Sequence, residues 1–343
     1  MERNCERVKV LALTQGESVP SSRFRIKNIV ERLKEGGIDI RIRDARVSAF
    51  PPASSLSRPA WLVRELLFRA PDLLSSYNYD VIVFQRELIS TLPTLEALFK
   101  SPRVLDVDDA IWLHRGGLAA NSLARNVDHI VCGNSYLADY FAKFGKPISI
   151  VPTGVDVSIF RPRHDRASNK IIGWSGTSGG FRFLYAIECA LSEVLKRNPD
   201  WTLRIVSDQR PSFNFIPAER IEFLLWSKEN EVESIASMDI GIMPLDDTAW
   251  SRGKCSYKML LYMACGLPVV VSDFGMNREI LNYDFVGYGA SSVSDWVDSL
   301  SSLIADSELR DRLGKSGRGV VESFFSTEIT AKMWVNILNS FVK

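Results

Sequence analysis

Short apolar runs, most of them β-branched, recur along this chain with helical stretches between them, and that alternation restricts the fold more than any other feature. Val8 to Leu13 (VKVLAL) is the first run, followed by the loop TQGESVPSS and a helical pattern over Phe24 to Lys34 that stops at Gly36-Gly37. Ile38 to Arg43 alternates as a strand does. Asp80 to Phe84, Val104 to Val107, Ile130 to Cys132 and Ile148 to Val151 continue the series, with helices expected over Thr91 to Phe99 and Ser135 to Phe144. Residues 162–170 (PRHDRASNK) break the rhythm as a linker would. It then restarts with Ile171 to Gly173, Thr202 to Val206, Ile221 to Leu225, Ile240 to Met243 and Val269 to Ser272 as strands. Tyr185 to Lys196, Glu231 to Ser237 and Ser256 to Cys265 read as helices, and Leu309 to Phe324 and Glu328 to Phe341 as two closing ones. Strand–helix alternation of this kind predicts parallel sheets with helices on both faces, here two doubly wound domains in tandem. In such sheets ligands bind outside the carboxyl ends of the strands, so a cleft between the domains is the expected site.

With 343 residues the chain is long enough for two domains. A net charge of +1 supplies no global field for nucleic acid, which is not an expected partner. Between Ser21 and Ala70, however, eleven Lys/Arg face five Asp/Glu. Cys5, Cys132, Cys189, Cys255 and Cys265 are scattered and odd in number, which argues for a reducing compartment and against a zinc site. The start, MERNCERVKV, has no apolar signal core, so a cytoplasmic protein, at most attached to the inner face of a membrane, is expected.

Three stretches carry candidate chemistry. Ser251 to Glu279 opens with Arg252, Gly253 and Lys254, passes Ser256 at a helix N-cap and Lys258 one turn in, and closes the helix at Gly266 before Pro268. Cations gathered at a helix N-terminus make an anion site; solvated lysines on an ordinary helix are the alternative. Gly173 to Arg182 (GWSGTSGGFR) is a glycine-rich turn that lets backbone N–H groups approach phosphate, though it is neither a Walker A nor a G-x-G-x-x-G sequence. Leu105 to Trp112 (LDVDDAIW) puts Asp108 and Asp109 just past a strand end, where they bind metal, orient a sugar hydroxyl or cap the next helix. Arg86-Glu87 reads as a salt-bridged loop pair at the same edge. His114, His129 and His164 have neither metal spacing nor a nucleophile beside them. Ser57 to Leu74 mixes Trp61, Leu62, Leu66, Leu67 and Phe68 with Arg58, Arg64 and Arg69, as a core helix or a membrane-surface helix does.

Taken together, VPTGVDVSIFRP (Val151 to Pro162), IIGWSGT, KMLLYMACGLPVVVS with FGMNREI, and the N-terminal SSRFR and LDVDDAIW resemble the group 1 retaining glycosyltransferases of the GT-B fold, in a bacterial branch. The resemblance implies an acceptor-binding Rossmann-like domain over 1–163, a nucleotide-sugar donor domain over 164–325, and a closing segment, 326–343, that crosses back to the first domain. It implies hexosyl transfer from a nucleotide-diphosphate donor, with retention, to a glycan or lipid-linked acceptor, in surface polysaccharide or glycoconjugate synthesis. Gly176, Thr177, Trp226, Arg252, Lys254, Lys258, Arg278 and Glu279 fall on the donor side. Arg23, Arg25, Arg86 and Asp108 fall on the acceptor side, and Asp109, Lys254 and Lys258 are the catalytic candidates. No metal or other cofactor is implied. The family's two glutamates, with seven residues between them, match Gly253 and Leu261, and its basic pair matches Trp174 and Gly179. Those departures leave a nucleotide-binding or scaffold subunit with little or no turnover as the rival reading. The basic excess beside the Trp61–Phe68 run adds an expected contact with an anionic membrane.

Overall fold

A computed structural model describes residues 7–16, 19–46, 51–89, 92–163 and 168–342. His164 and Thr91 lie outside them. The chain divides into two units: residues 1–154, 253–255 and 327–343 form one, and residues 155–252 and 256–326 the other. The first unit gives up the chain at Gly154, eight residues before the linker stretch begins.

In the first unit β1 (Val8–Thr14), α1 (Val30–Glu35), β2 (Ile38–Asp44), α2 (Arg58–Ser75), β3 (Val81–Gln85), β4 (Arg103–Val107), α3 (Leu118–Asn126), β5 (His129–Cys132), α4 (Ser135–Ala142) and β6 (Ile148–Ile150) follow in order. The strands form one parallel sheet, β2-β1-β3-β4-β5-β6, in which Val83 faces Val104 and Gln85 faces Asp106. β1 and β3 are buried almost throughout, which is why they read as largely apolar runs, with Lys9 the exposed exception. The expected helix over Phe24–Lys34 is divided: a π turn (Ser22–Ile26) and a 3-10 turn (Lys27–Ile29) precede α1. Over the described part of 91–99 there is only a 3-10 turn, Glu96–Leu98. The Glu96 carboxylate turns back to accept the N–H groups of Leu88 (3.1 Å) and Thr94 (2.8 Å), which ties the segment into a loop.

The second unit runs β7 (Ile171–Ser175), α5 (Phe181–Ala186), α6 (Glu188–Arg197), β8 (Thr202–Ser207), β9 (Ile221–Leu225), α7 (Glu231–Ala236), β10 (Ile240–Met243), α8 (Ala249–Arg252), α9 (Tyr257–Ala264), β11 (Val269–Ser272), α10 (Gly275–Leu281), β12 (Gly287–Ala290), α11 (Val293–Ala305) and α12 (Ser307–Val320). Its sheet, β12-β11-β10-β7-β8-β9, is the doubly wound Rossmann order, with the reversal between β7 and β10. The single helix expected over Tyr185–Lys196 is two, broken at Ile187. Strand β12 (GYGA) gave almost no sequence signal, because two of its four residues are glycines. Gly287 is needed there, since a Cβ would sit 2.7 Å from a Val269 methyl and overlap the Val269 carbonyl.

The last helix, α13 (Thr327–Asn339), returns to the first unit. Ala331, Trp334 and Leu338 are buried in the core formed by Val10, Ile26, Leu33, Val83 and Val104. Among the described residues no helix is long and apolar enough to cross a membrane.

Candidate functional site

The first unit collects its charged candidates just beyond the carboxyl ends of β3 and β4. Arg86 follows β3 with a left-handed backbone (φ 64°), a conformation that side-chain-bearing residues adopt at a cost. Its N–H donates to the Asp106 carbonyl (2.9 Å), and from that position its guanidinium reaches both aspartates. Nε donates to Asp108 Oδ1 (2.7 Å) and Nη2 to Asp109 Oδ2 (2.6 Å). Lys254 Nζ approaches the other Asp109 oxygen (3.3 Å). Neither carboxylate caps the 3-10 turn that follows, Ile111–Leu113, which has no side-chain cap. Burial opposes ionisation of Asp108, but Arg86, Arg25 and the Ser21 hydroxyl outweigh it and hold the carboxyl below its ordinary value. Arg86 and Glu87 are therefore no mutual ion pair. Glu87 is buried behind the network, and burial pushes its carboxyl up to about 7.

Arg25 is turned into the interior of the unit. It is buried, chelated by Asp106 (Nη2–Oδ1 2.5 Å) and donates to the Val151 carbonyl (2.6 Å), so it ties the π turn to the sheet floor. Arg23, two residues earlier, is half-buried with its guanidinium 4.7 Å from the Phe24 ring centre. The short segment Gly253–Cys255 is held in this unit by Asn134, whose amide donates to the carbonyls of Gly253 (3.2 Å) and Lys254 (3.0 Å). Cys255 Sγ donates to the Asp108 carbonyl (3.2 Å).

In the second unit the glycine-rich turn follows β7, the strand at the point where the sheet order reverses. Ligands of doubly wound sheets bind at that point. Lys258, on the first turn of α9, brings Nζ 4.5 Å from the Trp174 ring centre and up against Gly176. A Cβ on Gly176 would overlap that ammonium and sit 2.8 Å from Trp174 Cη2, so the glycine makes room for the cation. Thr177 is exposed at the start of the turn and accepts from the Gly180 N–H (2.8 Å). The Ser178 N–H and hydroxyl both donate to Asp208 (2.6 and 2.9 Å), whose carboxyl is lowered first by that N–H bond. Asp208 was missed in the sequence because it is a single acid after a strand, with no motif around it.

Ser256 occupies the N-cap position of α9 but does not cap it. Its backbone is left-handed (φ 49°) and its hydroxyl donates to Asn277 Oδ1 (2.7 Å). The other end matches the sequence reading: Gly266 (φ 72°) donates to the Met263 carbonyl (2.9 Å) and Leu267 to that of Tyr262 (3.0 Å), a Schellman closure.

Residues 171–306 match the family described as Glycosyl transferases group 1. The matched stretch runs from β7 to just past α11, so it is the second unit's sheet that resembles this family. Over 84 residues, 24% of this chain and 22% of the relative, the sequence is 32% identical to spore coat protein SA of Bacillus subtilis (strain 168). Two solved structures are similar over nearly all of both chains. The sucrose-phosphate synthase of Thermosynechococcus elongatus has a TM-score of 0.72 at 13% identity, covering 98% of this chain and 99% of that one. Anabaena HepE in complex with UDP and glucose has a TM-score of 0.70 at 14% identity, covering 97% and 100%. The chain has the α/β GT-B fold of these glycosyltransferase structures.

In the second unit the remaining candidates make contacts of their own. Arg252, at the end of α8, makes a two-pronged pair with Asp247 (2.6 and 2.9 Å). Arg278, on α10, pairs with Asp273 (2.9 Å). Glu279 is exposed on the same helix, and Trp226 is exposed one residue past β9. The two positions that match the family's glutamates are closed. Leu261 is core, 3% exposed. A Cβ on Gly253 would lie 2.7 Å from the Ala110 nitrogen and 2.8 Å from its Cβ, so no side chain fits there without movement of backbone.

Proposed function

We propose that this chain is a retaining hexosyltransferase that moves a sugar from a uridine diphosphate donor, held by the second unit, to a glycan or lipid-linked acceptor held by the first. Its setting is surface polysaccharide or glycoconjugate synthesis on the cytoplasmic side of a membrane that the protein touches peripherally. The observation that carries the reading is Lys258 set against the glycine-rich turn at the reversal point of a group 1 glycosyl transferase sheet. Sugar transfer builds negative charge on the departing diphosphate, and a fixed ammonium beside backbone N–H groups stabilises that charge where it appears. HepE, similar in fold, binds UDP and glucose, which favours uridine as the base. Gly176 and Thr177 give the turn, Lys258 the cation, and Trp226, Arg252, Arg278 and Glu279 the outer donor side, so the proposed reaction uses no metal. On the acceptor side Asp109, held by Arg86 and Lys254, orients the incoming hydroxyl, with Asp108 and Arg23 beside it.

Incubation with UDP-, GDP-, dTDP- and CMP-hexoses, with release of nucleoside diphosphate and the product's anomeric configuration read by NMR, tests this. Release from UDP-hexose with a retained anomer is expected; inversion would refute retention. A second reading is favoured by the closed positions at Gly253 and Leu261, which leave no carboxylate where the family has two. In it the chain binds the nucleotide without turnover, and the same assay separates the readings: UDP binding with no UDP release from any donor selects the non-catalytic one.

A further inference from the structure

Helix α2 is built inside out. Its buried stripe, at the spacing of one helix face, is Trp61, Glu65, Arg69, Asp72 and then Ser76, so charged residues point into the unit. Arg69 is 2% exposed and Glu65 fully buried; the two pair (3.3 Å), and Arg69 also donates to the carbonyls of Thr14 (2.8 Å) and Arg43 (3.2 Å). The opposite stripe carries Ala60, Val63, Leu67, Pro71 and Leu74 into solvent, with Val63 57%, Leu67 68% and Leu74 74% exposed. Leu56 (92%) extends it before the helix and Tyr77 (66%) after it. Isolated exposed leucines are ordinary, whereas a continuous apolar face on one helix marks an interaction surface.

Charge says what covers it. Both acids of α2, Glu65 and Asp72, are buried, so its exposed surface carries no carboxylate. Its exposed charges are Arg58 and Arg64. Arg64 and Arg46 both set their guanidiniums 5.6 Å from the Phe68 ring centre, at the margin of the apolar stripe. An apolar face whose exposed charges on its own helix are all cations fits an anionic bilayer, whose acyl boundary takes the leucines while lipid phosphates take the arginines. We infer that the exposed face of α2, Leu56 through Tyr77, is a docking surface for an anionic lipid membrane. It deepens the proposal of a lipid-linked acceptor and stands on surface geometry that donor chemistry does not touch.

The experiment is vesicle flotation of the full chain with phosphatidylglycerol–phosphatidylcholine vesicles, with pure phosphatidylcholine vesicles, and in low and high salt. Donor hydrolysis is measured in parallel without lipid. Flotation with the anionic vesicles alone, lost at high salt, is expected. Leu67→Glu should weaken it at least tenfold and Arg64→Gln about fivefold, while Phe215→Glu, an exposed apolar residue of the other unit, changes nothing. Leu67→Ser gives the same direction without an added charge. Equal recovery in the soluble fraction with both lipids, or unchanged flotation of Leu67→Glu, overturns the inference. So does a concentration-dependent dimer that Leu67→Glu abolishes without any vesicle binding, which would assign the face to a second copy. Unchanged donor hydrolysis in these variants keeps the enzymatic reading separate from the outcome.

Discussion

Lys258 could be named from its place one turn into a helix after two cations, but its partner could not. The partner is a turn some eighty residues earlier in the chain, and the link is the absence of a side chain at Gly176. Lys258→Ala should lose a charge-assisted contact with the diphosphate, about 1.5–3 kcal/mol, or roughly tenfold to a hundredfold in UDP affinity by calorimetry. Lys258→Arg should recover little of it, because a planar guanidinium is too wide for the space that Gly176 leaves. Arg25 teaches the opposite lesson. It lies in the SSRFR motif and looked like an acceptor ligand, yet it is the buried partner of Asp106. Removing it strands a carboxylate in the core, so Arg25→Met should cost about 3–5 kcal/mol in urea unfolding. Glu87 gives a pH signature. Burial raises its carboxyl from 4.5 to about 7, so the folded chain holds that proton more tightly than the unfolded one. Its contribution to stability is therefore complete below 4.5 and is lost as pH rises to about 7, by at most about 1.4 kcal/mol per pH unit. Glu87→Gln should flatten that decline in urea titrations across the same range.

Among the elements, α9 was legible nearly to the residue because its end is a local matter. Glycine reaches the left-handed backbone at 266 freely, and Pro268 cannot continue a helix. Gly266→Ala should cost about 1–2 kcal/mol for the same reason. Its beginning was not legible. Ser256 has the chemistry of a cap, but Asn277, brought in by α10, takes its hydroxyl. Helix α2 went further from expectation: its mixture of apolar residues and arginines was read as a core helix or a membrane-surface helix, whereas Trp61 shares the buried stripe with Glu65, Arg69 and Asp72. Periodicity shows that a helix has two faces and not which of them the sheet will cover. The buried Glu65–Arg69 pair makes a counter-intuitive prediction. Arg69→Ala should destabilise the first unit by about 3–5 kcal/mol, whereas Leu67→Ala should change it by less than about 0.5 kcal/mol. Equal effects in thermal melts would show that the charged stripe does not hold the helix.

At the scale of the whole molecule, the chain commits its last helix to the unit it began with. Trp334 is 2% exposed among Leu33, Ile26 and Val10, so Trp334→Ala should lower the first unit's stability by about 3–5 kcal/mol. A saturating nucleotide, at a hundred times its dissociation constant, should instead raise the second unit's by about 2.7 kcal/mol. Differential scanning calorimetry should see these as shifts in separate components. The sequence by itself determined that both sheets are parallel, where nearly every strand lies along the chain, and the glycine turns. Buried parallel strands must be short and apolar, and glycine and proline act within a few residues of where they stand. Only the tertiary structure decided which charges are buried in structural pairs and which gather just beyond the ends of strands. Arg25, Arg69 and Asp106 look on paper like Arg86, Lys258 and Asp109. A charge's role is set by what lies across from it, and those neighbours come from strands and helices tens to hundreds of residues away.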